Sequence, residues 1–250
     1  MSDALLVTAR GLTFSYGRDP VLEDVDLQVR PGEFVALVGP NGSGKSTLLK
    51  LLLGMLTPDA GSVELLGAPP SGAYTHGRLG YVPQRPALSP ELPATVREIV
   101  ASGRMASGRW WGGRSRTDRE SIAHAIESVD LTDQARAPVN ELSGGQQQRA
   151  FIARAFTIEP ELLILDEPIA GVDAASQRRF RDALVHLIED HGSGVLLVSH
   201  ELSAVANDVD RVIVLRQRIV FDGPPDELAA SGVSLGVHPE DLPLWLEELR

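Results

Sequence analysis

The chain has 250 residues, 43 % of them apolar, which suffices for one sizeable core or for a core with a subdomain. A formal net charge of −11 argues against non-specific binding to nucleic acid, whose phosphates attract positive surfaces, and no nucleic-acid partner is expected. The chain contains no cysteine, so disulfides and thiolate chemistry are excluded.

Residues 1–6 lack the basic start, apolar stretch and small-residue cleavage site of a signal peptide. Apolar and polar residues then alternate over 5–12 and 21–29, the pattern of half-buried strands, with a turn at Tyr16-Gly17-Arg18-Asp19-Pro20. Phe34–Val38 is a continuous apolar run, which predicts a strand buried on both faces, as in a parallel sheet. A helix is predicted over 45–55 and strands over 62–66 and 79–82. From 83 to 113 Pro, Ser, Gly and Arg become frequent, with a helical piece at 96–102. Helices are predicted over 118–129, with Ile122, Ala125, Ile126 and Val129 on one face, and over 146–157, so that 84–157 reads as a helical insertion. The parallel pattern resumes with a strand at 162–165, a helix at 174–189 and a strand at 194–199. A closing hairpin pairs 212–215 with 219–221 around Arg216-Gln217-Arg218. The tail from 232 is acidic and punctuated by proline; 239–250 has the pattern of a short amphipathic helix, with no function assigned to it. No stretch reaches the ~18 uninterrupted apolar residues of a membrane span, so a soluble, cytoplasmic chain is expected, any membrane role being peripheral.

Gly39-Pro40-Asn41-Gly42-Ser43-Gly44-Lys45-Ser46-Thr47 fits G-x-x-x-x-G-K followed by Ser or Thr, between an apolar strand and a helix. Glycines let the backbone curl so that N–H groups point at phosphate oxygens, and the helix N-terminus adds partial positive charge. Lys45 is expected on the β- and γ-phosphates, the Ser46 hydroxyl on Mg²⁺, and Thr47 on a phosphate. The apolar strand Leu162-Leu163-Ile164-Leu165 ends in Asp166-Glu167, where a parallel sheet presents ligands. Asp166 is expected to hold Mg²⁺ and Glu167 to polarise the attacking water. A second apolar strand ends in Ser199-His200, which places His200 as a candidate for the γ-phosphate and the water. Leu142-Ser143-Gly144-Gly145-Gln146 opens a helix and reads either as an ordinary capped entry or as a second anion cradle. One nucleotide already fills the first cradle, so a second has a client only on another copy of the chain, which suggests a dimer.

These residues resemble the nucleotide-binding subunit of an ABC transporter, and their order over residues 1–228 is that of the family. The resemblance implies a P-loop NTPase (RecA-like) α/β fold, with a parallel sheet core, an N-terminal antiparallel β-subdomain and the inserted helical subdomain at 84–157; 229–250 is left as a tail. It implies ATP hydrolysis with Mg²⁺, adenine stacking on Tyr16, and a Gln84 that senses Mg²⁺ and the attacking water. It implies that Ser143, Gly144, Gly145 and Gln146 close on the γ-phosphate of a second protomer, whose P-loop Asp173 touches. The implied partners are a second copy, an integral membrane permease and, indirectly, an extracytoplasmic substrate-binding protein, at the cytoplasmic face of the membrane. Gly171-Val172-Asp173, Tyr81-Val82-Pro83-Gln84-Arg85 and Asp173-Ala174-Ala175-Ser176-Gln177 resemble the zinc- and manganese-type metal importers. Iron-chelate and cobalamin importers share parts of these, and a soluble ABC ATPase serving iron–sulfur cluster assembly is the alternative from another class.

Arg97, Arg104, Arg109, Arg114, Arg116 and Arg119, with Trp110-Trp111 among them, form a basic, aromatic stretch in an acidic chain. It is expected either against the membrane subunit or lipid headgroups, or as a loop with its Trp pair folded onto the helical subdomain. The histidines are not expected to form a ligand set, since His186 and His191, five apart, do not share a helix face.

Overall fold

Alternation of apolar and polar residues builds the first sheet. Along β1 (Val7–Tyr16) the side chains of Val7, Ala9, Leu12 and Phe14 are buried, with partly exposed residues between them. β2 (Asp19–Val29) returns antiparallel, Val7 facing Val29 and Tyr16 facing Asp19, so Asp19 and Pro20 belong to the strand and the turn shrinks to Gly17-Arg18. β1 runs on past the expected end at residue 12 because register shifts between Ala9 and Ser15 absorb the irregular residues. The computed structural model describes residues 4–70, 77–84, 94–106, 115–168, 174–199 and 205–231, which fall in two units, 1–74 with 194–250 and 75–193.

In the first unit, β4 (Ala60–Leu65) pairs antiparallel with the other edge of β1. The uninterrupted apolar run is β3 (Phe34–Val38), buried at all five positions. It lies between two parallel neighbours, β7 (Gly194–Val198) and β8 (Arg211–Arg216), with Ala36 facing Leu197 on one side and Val212 on the other. Both faces are covered, which is why the sequence shows no polar alternation there. β9 (Arg218–Gly223) folds back antiparallel on β8 through Gln217, whose φ is 59°. α1 (Lys45–Leu52) follows β3 and ends three residues before the expected 55, where Gly54 takes φ 69°.

In the second unit, β5 (Leu79–Val82) and β6 (Leu162–Asp166) pair in parallel, Leu79 facing Leu162 and Val82 facing Leu165. Four helices accompany them: α2 (Val96–Ala106), α3 (Arg116–Ser128), α4 (Gly144–Phe156) and α5 (Ala174–His191). α3 and α4 each start two residues earlier than predicted, because serine caps set their origin: Ser115 accepts from the Asp118 N–H and Ser143 from the Gln146 N–H. α2, α3 and the end of α4 meet at Arg104. Its guanidinium donates to Asp118 (Nε at 3.1 Å), to the Thr157 carbonyl at 3.2 Å and to Glu159 at 3.3 Å. Arg104 therefore belongs to the interior and not to the expected basic surface, since a buried carboxylate on α3 requires a buried cation. Arg109, Trp110, Trp111 and Arg114 lie outside the described residues. A further helix, α6 (Pro225–Ala230), closes the described part of the first unit and was not legible in the sequence. Among the described residues no helix is long and apolar enough to cross a membrane.

Candidate nucleotide-binding site

The loop after β3 is held by its backbone. A Cβ on Gly39 would strike the Leu215 carbonyl on β8, and one on Gly44, where φ is 102°, would come within 2.7 Å of Leu22 Cδ2 on β2. Glycine is required at both positions by close approach. The tip of the β8–β9 hairpin completes the support, with the Gln217 N–H donating to the Ser43 carbonyl at 3.0 Å and its Nε2 to the Pro20 carbonyl at 3.3 Å.

Within the loop Lys45 is buried, and its Nζ donates to the Gly39 carbonyl at 2.6 Å and the Pro40 carbonyl at 3.0 Å. The N-cap of α1 is Gly44, which makes no side-chain capping bond, and the first turn carries no acidic residue. The partial positive charge at this helix end is thus neither capped nor neutralised by its own element. Ser43 Oγ is buried without a hydrogen-bond partner among the described residues. Ser46 is exposed at the first turn, Thr47 is buried, and Asn41 and Gly42 are exposed at the loop's apex. An ammonium, an uncapped helix start and an orphaned hydroxyl over nine residues fit the phosphates of a nucleotide, and an exposed hydroxyl at the same helix start fits a Mg²⁺ ligand. Tyr16, at the end of β1, is about half exposed, and its ring stands at right angles to that of Phe14 with centroids 5.0 Å apart.

In the second unit, Asp166 ends β6 half-buried, and Glu167 follows it with φ 47°, a left-handed conformation that a non-glycine residue adopts only at a cost of about 1 kcal/mol. That turn brings the Glu167 carboxylate to Gln84, whose Nε2 donates to Oε2. The Tyr81 phenol on β5 is pushed above its ordinary pKa, first by burial and then by the negative charge of Asp166. Two carboxylates and an amide are thereby gathered at the ends of β5 and β6, a set that can bind a cation and polarise water.

The start of α4 is a reciprocal cap. Ser143 Oγ accepts from the Gln146 N–H at 3.3 Å, and the Ser143 N–H donates to Gln146 Oε1 at 3.0 Å. Gly144 and Gly145 have open space where a Cβ would stand, so among the described residues no neighbour requires glycine there. The three successive glutamines serve different ends: Gln146 caps, Gln147 Nε2 donates to the Leu142 carbonyl at 3.1 Å, and Gln148 Nε2 donates to the Pro83 carbonyl at 3.0 Å. In the sequence Gln148 stands only as part of Gly144-Gly145-Gln146-Gln147-Gln148-Arg149, a run that resembles the metal importers, and Gln217 only as a hairpin turn; neither has a role at the site there. The three amides are indistinguishable by composition, and only the 100° turn per residue separates their directions.

Asp173 and His200 lie outside the described residues. The histidines include one departure from expectation. The rings of His186 and His191 meet edge to face at 5.4 Å, because His191 is the last residue of α5 and no further turn holds it away. The ring of His124 on α3 lies 5.9 Å from that of His186, and the three line a cleft of about 610 Å³. Among the described residues no three His, Asp or Glu side chains stand in an arrangement suited to a metal ion.

A family model described as ABC transporter matches residues 22–170. The zinc uptake system ATP-binding protein ZurA of Listeria innocua is 41 % identical over 223 residues, 89 % of this chain and 87 % of that protein. The high-affinity zinc uptake system ATP-binding protein ZnuC of Bacillus subtilis is 38 % identical over 216 residues, 85 % of this chain and 91 % of that protein. Among solved structures, an ATP-binding cassette in a dimeric post-hydrolysis state bound to ADP and Pi is similar with a TM-score of 0.75 and 27 % identity, covering 87 % of this chain and 98 % of that one.

Proposed function

The chain belongs to the ABC transporter family, and from that premise we propose that it is the subunit whose ATP hydrolysis powers import of a divalent metal ion, zinc or manganese. It is an ATPase with the α/β fold of P-loop NTPases. The observation that carries the nucleotide reading is the loop before α1, where a buried lysine, an uncapped helix start and an orphaned serine hydroxyl share one glycine-bounded turn. The metal reading rests on the relatives, whose names are those of zinc uptake systems.

In this reading Tyr16 stacks on adenine, and the backbone N–H groups from Gly39 through Thr47 receive the phosphates, with Pro40 and Asn41 shaping the turn. Lys45 leaves its carbonyl partners for the β- and γ-phosphate oxygens. Ser46, Asp166 and Gln84 hold Mg²⁺, which when bound draws negative charge from the phosphate oxygens. Glu167 takes the proton of the attacking water, Gln84 orients that carboxylate, and His200 contacts the γ-phosphate. The open glycines Gly144 and Gly145, with Ser143 and Gln146, close on the nucleotide of a second copy, and Asp173 meets that copy's P-loop. The structure of a dimeric cassette bound to ADP and Pi supports the two-copy arrangement. We assign the ATPase domain to 1–228, with 84–157 as its helical subdomain and 229–250 as a tail. The dimer works at the cytoplasmic face of the membrane against an integral permease, with an extracytoplasmic binding protein delivering the metal.

Glu167→Gln tests this directly. The variant should bind ATP, lose turnover and accumulate as an ATP-dependent dimer in size-exclusion chromatography. A Glu167→Gln chain that stays monomeric with ATP, or hydrolyses it at the wild-type rate, contradicts the reading.

A further inference from the structure

The turn that delivers Gln84 to Glu167 is not free-standing. The carbonyl of the preceding residue, Pro83, accepts from a side chain of another element: Gln148 Nε2 donates to it at 3.0 Å. Gln148 is 8 % exposed, although it lies in a polar run at the start of an amphipathic helix. A buried amide is retained where its hydrogen bonds are made, because leaving them unmade is costly. The Pro83 carbonyl and the Gln84 N–H belong to one rigid peptide plane, so fixing the carbonyl fixes the direction in which the chain enters Gln84. Pro83 restricts the same plane from the other side through its locked φ.

We propose that Gln148 is a positioning residue for hydrolysis: it ties the helix that begins at Ser143 to the Pro83–Gln84 peptide and so sets the Gln84 amide on the Glu167 carboxylate. Each link is a hydrogen bond within one unit, from Gln148 to Pro83 and from Gln84 to Glu167. Gln148 stands two positions beyond Gln146 of the cap on one helix, so a displacement of that helix start is carried rigidly to the Gln84 turn. The inference rests on the ATPase reading and deepens it: closure of the second cradle on a nucleotide would be felt at Glu167 through Gln148. Gln146 and Gln147 cannot substitute, since their side chains are directed to Ser143 and Leu142.

The test is a double-mutant cycle on the full chain, with steady-state ATPase and the KM for ATP as readouts. Gln148→Leu keeps the side-chain bulk and removes the donor; Pro83, whose carbonyl it abandons, is itself only half-buried, so the fold should survive. We expect kcat to fall about five- to ten-fold with KM changed less than about two-fold, since the P-loop is untouched. In a Gln84→Ala background, Gln148→Leu should cost nothing further, because its effect travels through Gln84. Gln148→Glu, which sets a carboxylate against the same carbonyl, should repeat the pattern and serves if the leucine variant fails to fold. Unchanged kcat in Gln148→Leu, or the same fractional loss with and without Gln84, overturns the inference. Absent turnover in the wild type, or full turnover in Glu167→Gln, instead overturns the ATPase reading on which it rests.

Discussion

The Lys45 ammonium rests on the Gly39 and Pro40 carbonyls, so its charge is already stationed at the loop that would take the phosphates. Removing it takes a preorganised positive charge from the transferring phosphoryl group. Lys45→Ala should therefore lower kcat roughly a hundred- to a thousand-fold, by the scale known for single electrostatic stabilisers, and equilibrium nucleotide binding should weaken with it. Normal turnover in a purified, folded variant would remove Lys45 from the site. At this scale the motifs were legible, because each is local in sequence: nine residues make one loop, and Asp166 and Glu167 adjoin at one strand end. What stayed hidden depends on distant chain. The Leu215 carbonyl under Gly39, the Gln217 N–H on Ser43 and the Gln148 amide on Pro83 are contacts between segments far apart, which no local pattern encodes.

Strong periodicity makes the helices and strands legible in the sequence, and their ends are less so. α3 and α4 begin where Ser115 and Ser143 cap them, two residues before the apolar stripe becomes visible. The arginine-rich stretch shows the limit of composition. Charge counts read Arg104 as surface, whereas packing of α2 on α4 at Gly103, where a Cβ would collide with the Arg154 carbonyl and Thr157 Oγ1, turns its neighbour inward to Asp118. Both partners are more than nine-tenths buried, so Arg104→Ala leaves a carboxylate without its cation in the interior. That should cost about 3–5 kcal/mol. The exposed pair Arg218–Glu23 is as short, at 2.6 Å, yet Arg218→Ala should cost no more than about 1 kcal/mol, because solvent screens it. Urea midpoints of the two variants decide between burial and distance as the controlling factor; equal shifts would mean that the Arg104 pair is not buried in solution.

At the scale of the whole molecule, β3 between two parallel neighbours and the three-stranded antiparallel sheet match the α/β architecture expected from the sequence. The family relation was also legible, since five short motifs recur in a fixed order and relatives at 41 % and 38 % identity span most of the chain. The metal itself passes through other proteins in the proposed assembly. The claim that ATP turnover by this chain drives metal entry is therefore tested by transport. Uptake of radioactive zinc and manganese should be measured in cells lacking the gene and carrying either the wild-type chain or Glu167→Gln. The account predicts that deletion abolishes high-affinity uptake of one of the two metals, that the wild-type chain restores it and that Glu167→Gln does not. Uptake of both metals unaffected by the deletion, or restored in full by Glu167→Gln, would contradict it.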